Sequence, residues 1–140
     1  MTITFDSENI DFPEIDIEKV SSWIKNVAKE HNRVVGELSY LFCNDEQILE
    51  ANNLYLQHDY YTDIITFDYS EEDKISGDIL ISLDTVKSNS EKFKTDYKEE
   101  LYRVIIHGVL HLCGINDITE SEAINMKKSE DIALSQLDYK

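Results

Sequence analysis

The chain has 140 residues, a length that favours one domain with a real hydrophobic core. Twenty-nine Asp and Glu against thirteen Lys and Arg give a formal net charge of -16, which argues against a broad electrostatic hold on nucleic acid. No basic and apolar leader and no run of roughly 18 apolar residues is present, so a soluble, cytoplasmic chain with no membrane partner is expected. Cys43 and Cys113 are too few for a disulfide framework and are expected to stay as thiols.

TITF at residues 2 to 5 reads as a short strand, followed by an acidic loop through Pro13. From Ile15 to about His31, Ile15, Ile17, Val20, Trp23, Ile24 and Val27 keep the helical period and predict an amphipathic helix. Lys19, Lys25, Lys29 and Arg33, with only Glu30 opposing, make residues 19 to 33 the one basic stretch. Lys25, Lys29 and Arg33 recur every fourth residue as a stripe, which is either a solvated helix face or a patch for an anionic ligand. VVGELSYLFC at 34 to 43 is rich in strand formers and precedes Asn44, a good helix N-cap, with a second helix from about Asp45 through Leu54.

DIITFDY at 63 to 69 and GDILISL at 77 to 83 are two more strands. The polar SEEDKIS between them is too short for a crossover helix, so the pair is predicted to be antiparallel. Residues 84 to 95 and Tyr97 to Leu112 read as helices, and a last helix follows Thr119, which forms a capping box with Glu122. The order β, α, β, α, β, β, α, α, α implies a single α/β domain over residues 1–140, with a mixed sheet of about four strands packed with about five helices.

The chemistry concentrates in HGVLHLCGIND, residues 107 to 117. His107 and His111 are one helical turn apart, about 40° around the axis, so both imidazoles can reach one ion. Gly114 permits the left-handed turn that closes a helix and brings Asp117 back toward them. Two imidazoles, a carboxylate and a position left for water are the pattern of a catalytic zinc site. Cys113 lies about 200° around the helix from His111 and is read as packing. An HExxH peptidase shares the His spacing, but it needs a Glu general base where this chain has Gly108. A second polar cluster, HDYYTD at 58 to 63, stands just before a strand; His58 there is either an exposed loop histidine or a substrate contact.

These residues resemble the YbeY family of zinc-dependent, single-strand-selective endoribonucleases implicated in ribosomal RNA maturation and ribosome quality control. The family motif HGxLHLxGYDH is matched by His107, Gly108, Leu110, His111, Leu112 and Gly114. The upstream N-x-x-Y-R and T-[DN]-V-L-S-F-P segments align with Asn52, Tyr55 and Thr62-Asp63-Ile64-Ile65-Thr66-Phe67. Gly77-Asp78-Ile79-Leu80-Ile81-Ser82 resembles the next strand, and Glu122 with Met126 the helix beyond the metal motif. The blocks run in family order from Asn52 to Met126, more than half of the chain.

The resemblance implies one zinc ion held by His107, His111 and Asp117, single-stranded RNA or rRNA as substrate rather than DNA, and the small ribosomal subunit as partner. Ile115 and Asn116 replace the family's Tyr and Asp, Asp68 replaces the Pro ending its strand motif, and two further departures bear on the site. Asp117 stands where the third ligand is usually His, which makes the site more anionic and leaves manganese or another divalent ion open beside zinc. Leu56 stands where the family has a substrate-facing Arg, and His58 is expected to supply the missing cationic or proton-donating group. Lys25, Lys29 and Arg33 are the expected substrate-binding stripe. Two other readings stand beside this one: a ribosome-associated assembly factor acting mainly by binding, and a metal-dependent hydrolase of another substrate.

Overall fold

A computed structural model of the chain describes residues 2–56 and 63–137. In chain order the elements are β1 (Thr2–Ser7), α1 (Ile17–Glu30), β2 (Val34–Cys43), α2 (Asp45–Leu56), β3 (Ile64–Asp68), β4 (Lys74–Ser82), α3 (Leu83–Lys92), α4 (Tyr97–Leu112) and α5 (Glu120–Ser135). The four strands form one sheet in the order β1-β2-β4-β3. β1, β2 and β4 are parallel, and β3 is antiparallel to β4, so the expected mixed sheet and terminal hairpin are both present.

Alternation along the strands decides which element covers each face. Phe5, Tyr40, Ile79 and Thr66 are successive register partners across the sheet, and this row lies on the face covered by the long helices. There Leu38, Tyr40, Phe42, Ile79 and Ile81 meet Trp23, Ile24 and Val27 of α1 and Leu101, Ile105 and Val109 of α4 in one buried cluster. Phe5 stacks on Tyr40 at 4.9 Å between ring centroids. The Tyr40 hydroxyl donates to the Ile105 carbonyl at 3.0 Å, and Trp23 Nε1 donates to the Ala133 carbonyl at 2.8 Å, so the two large polar-tipped rings are satisfied inside the core. Neighbouring residues on β2 and β3 point the other way: Cys43 and Ile65 pack with Ile48 and Ala51 of α2 in a smaller cluster.

Two boundaries differ from the sequence reading for identifiable reasons. α1 begins at Ile17 rather than Ile15, because Asp16 is its N-cap and accepts from Lys19 N at 3.1 Å. β4 begins at Lys74 rather than Gly77: Lys74 and Ile75 are held in the sheet by their parallel partners Val34 and Val35 on β2. That pairing is long-range, so the polar composition of residues 70 to 76 gave no sign of it.

Candidate metal centre

α4 runs under β3 and β4, with Gly108 buried against the sheet. A Cβ at residue 108 would stand 3.0 Å from Ile79 Cδ1 and 3.2 Å from Ile64 Cδ1, so the helix seats closely and leaves room for no more than a small side chain there. The neighbouring His107 lines a cavity with Asp63 and Ile64 at the start of β3. His107 and His111 are both half-buried, and Arg103 lies one turn before His107 on the same side of α4.

The helix closes as the glycine predicted. Gly114 adopts φ +96°, its N–H donates to the His111 carbonyl at 3.0 Å, and the Ile115 N–H donates to the Leu110 carbonyl at 3.1 Å. This is a Schellman closure, with Ile115 tucked against the core. The chain then reverses, and the Asp117 carboxylate arrives 3.5 Å from His107 Nε2. Thr119 and Glu122 form the reciprocal capping box that starts α5.

α5 returns along α4 and places Glu130 against the other ring nitrogen: His107 Nδ1 and Glu130 Oε2 are 2.7 Å apart. The second Glu130 oxygen accepts from Arg103 Nη1 at 3.0 Å, while Arg103 Nη2 donates to Asp131 at 2.7 Å. Glu130 is buried and Asp117 is exposed, so His107 spans from a closed pair on one side to open solvent on the other. Burial works to lower the His107 pKa, but the Glu130 hydrogen bond and charge, with the charges of Asp117 and Asp63, outweigh it and leave the ring more basic than an ordinary imidazole.

A cavity of about 570 Å³ opens here, lined by Asp63, Glu100, Arg103, His107, Asp117 and Glu130 among others. Burial pushes the Asp63 carboxyl up while His107 pulls it down, and burial likewise raises Glu100. Four carboxylates facing one imidazole and one guanidinium make a site suited to a cation.

The donor chemistry fits a divalent ion. Two ligands about 2.0–2.2 Å from a tetrahedral zinc stand about 3.3–3.5 Å from each other, and the His107 and Asp117 donor atoms are 3.5 Å apart. His107 also has its other nitrogen on a carboxylate, the usual arrangement of a metal-ligating imidazole. Among the described residues no three His, Cys, Asp or Glu side chains converge tightly enough to hold an ion, so His111 is not joined to that pair in this arrangement.

The other sequence-predicted residues are spread more widely. Lys25 and Lys29 are exposed on α1. Arg33 is half-buried, donates to the His31 carbonyl at 3.5 Å, and reaches the turn at Gly114. Cys113 is buried, as its helical position implied. His58 lies outside the described residues, as do Asp59 and Thr62. Sequence reasoning missed Arg103 and Glu130. Arg103 could have been found as the residue one turn before His107, whereas nothing local marks Glu130, whose role depends on how α5 docks on α4.

A family model for endoribonuclease YbeY matches residues 2–138. Endoribonuclease YbeY of Parabacteroides distasonis is 58% identical over 137 residues, covering 98% of this chain and 96% of that protein. The Bacteroides fragilis protein of the same name is 56% identical over 135 residues, covering 96% of this chain and 97% of its own. The solution structure of TM1509 from Thermotoga maritima matches with a TM-score of 0.67 at 24% identity, covering 96% of this chain and 91% of that one, which is a likeness of fold.

Proposed function

The chain belongs to the YbeY endoribonuclease family, and on that basis we propose that it is a metal-dependent endoribonuclease. The proposed role is single-strand-selective cleavage in ribosomal RNA processing, in small-subunit rRNA maturation and ribosome quality control, in the cytoplasm. The observation that carries this reading is the facing pair His107 Nε2 and Asp117 Oδ2 at 3.5 Å, on a ring whose other nitrogen is already engaged.

We assign one divalent ion per chain, zinc before manganese, to His107, His111 and Asp117. Bound there, it would supply Lewis acidity toward a phosphoryl oxygen and acidify water. The side chains of the protein do the rest. Glu130 holds the His107 ring from its Nδ1 side, and Asp117 stands opposite Nε2. The exposed face of Asp117 leaves the pair open to a substrate as large as a nucleic-acid strand.

An anionic strand approaching four cavity carboxylates needs cationic relief. We assign it to the ion itself, to Arg33 beside the Gly114 turn, and to Lys25 and Lys29 on α1. His58, at the position two residues after the family's substrate-facing Arg, is assigned the cationic or proton-donating role that Leu56 cannot take. The partner consistent with this substrate is the small ribosomal subunit.

The test is cleavage of a single-stranded RNA and of the same sequence as a duplex, with and without chelator, across a salt series. The expected result is metal-dependent cleavage of the single strand that weakens steeply with salt. Cleavage that survives exhaustive chelation refutes the reading. Products ending in a 2′,3′-cyclic phosphate would assign attack to the RNA 2′-hydroxyl, and products with a 3′-hydroxyl and a 5′-phosphate would assign it to water.

A further inference from the structure

We propose that Glu130 is the positioning residue for His107, held in place by Arg103, and that this pair fixes which ring nitrogen faces the metal; the inference rests on the metal reading above. His107 carries two chemically different nitrogens, and a neutral imidazole can bind an ion only through the one without a proton. Nδ1 is 2.7 Å from Glu130 Oε2. An ionised carboxylate only accepts hydrogen bonds, so this contact requires the proton on Nδ1. Nε2, facing Asp117 at 3.5 Å, is thereby the unprotonated nitrogen, with its lone pair free for an ion.

The geometry of Glu130 is itself over-determined. Its two oxygens are divided between Arg103 Nη1 at 3.0 Å and His107 Nδ1 at 2.7 Å. The Arg103 fork is divided in turn between Glu130 and Asp131. Because the guanidinium is planar and rigid, these bonds together leave the Glu130 carboxylate little freedom to rotate. Arg103 is one turn before His107 on α4, and Glu130 is on α5, so the clamp also registers the two helices that flank the cavity. Burial strengthens the arrangement: Glu130 is 9% exposed, so water competes poorly for its oxygens.

A tie between helices would also explain the contacts, and the experiment separates the two roles. Metal-free, isotopically labelled full-length protein is compared as wild type, Glu130→Leu, Glu130→Gln and Asp131→Asn. The His107 tautomer is read by long-range proton–nitrogen correlation at mildly alkaline pH, with His107→Ala for assignment. Cobalt(II) affinity is then read from its visible absorption, and folding from denaturant titration.

The wild type should show the Nδ1–H tautomer, and Asp131→Asn, whose amide oxygen can still accept from Arg103, should keep it with most of the cobalt affinity. Glu130→Leu should shift toward the Nε2–H form and bind cobalt about 10–100-fold more weakly. Glu130→Gln has one acceptor oxygen for two donors, and with that oxygen held by Arg103 its NH2 faces Nδ1, so it should also lose the Nδ1–H preference and part of the cobalt affinity; it guards against a Leu variant that fails to fold. A Glu130→Leu protein that is folded, keeps the Nδ1–H tautomer and binds cobalt like wild type overturns the proposal. So does an Asp131→Asn variant impaired as severely as Glu130→Leu. Failure of the wild type to bind cobalt overturns the metal reading itself, and this inference with it.

Discussion

Writing a glutamate at position 108 would complete the sequence HExxH, and the structure predicts that it would damage the fold rather than create a peptidase. The Cβ alone would sit 3.0 Å from Ile79 Cδ1, 3.2 Å from Ile64 Cδ1 and 3.3 Å from Ile79 Cγ2, and Ile79 is fully buried. Replacing a helical glycine gains about 0.5–1 kcal/mol of propensity. Overpacking against those methyl groups costs about 1–3 kcal/mol. Placing a carboxyl among them without a partner costs roughly 1–3 kcal/mol more even once it has taken up a proton. The net loss is about 1–5 kcal/mol, at its upper end a large share of the roughly 5–15 kcal/mol that holds a domain together. Urea unfolding followed by the single, buried Trp23 provides the assay. With a slope of about 1–3 kcal/mol per molar urea, the Gly108→Glu midpoint should fall by roughly 0.3 M or more. Gly108→Ala gains the propensity and keeps only the mildest part of the contact, so it should lie within about 1 kcal/mol of wild type. A Gly108→Glu midpoint equal to that of wild type would refute the packing argument.

Other substitutions test other parts of the account. Gly77→Ala would drive a Cβ into the Phe67 carbonyl oxygen, a backbone atom that cannot swing aside, and should cost about 2–4 kcal/mol in a thermal melt; an unchanged melting temperature would show that β3 and β4 separate easily. Thr119→Ala removes half of the capping box at the start of α5 and should cost about 1 kcal/mol by denaturant titration, with no loss rejecting the cap as a stabilising feature. Burial pushes the Cys43 thiol up to about 12 and Cys113 up to about 11, so neither should be alkylated by iodoacetamide at pH 8 in the native protein, while both should react in denaturant. Rapid native alkylation of Cys113 would contradict its placement as a packing residue behind the metal loop.

What could be read from the chain divides by the range of the interaction. The boundaries of α4, the capping box at Thr119 and Glu122, and the glycine closure at Gly114 are written in residues a few positions apart, and the folded structure contains each of them. The β3–β4 hairpin was legible because the linking segment was too short for anything else. The true start of β4 was hidden because Lys74 is recruited by Val34, forty residues away in sequence. Within the candidate site, the same rule separates Asp117, foretold by a local turn, from Glu130, which meets His107 only through the docking of α5 on α4. The acidic character of the cavity was likewise invisible locally, since Asp63, Glu100, Asp117 and Glu130 come from four separate segments. The basic spacing was legible as a pattern, but α1 ends at Glu30, so Lys25 and Lys29 lie on the helix while Arg33 lies past its end and reaches the turn at Gly114.

The most direct test of the central claim is calorimetric titration of zinc into the metal-free chain and its His107→Ala, His111→Ala and Asp117→Ala variants. The account predicts one ion per wild-type chain and a severe loss of affinity in each variant, His111→Ala included. Undiminished zinc binding in any of the three folded variants would contradict the assigned ligand set, and no binding by the wild type would contradict the metal centre altogether.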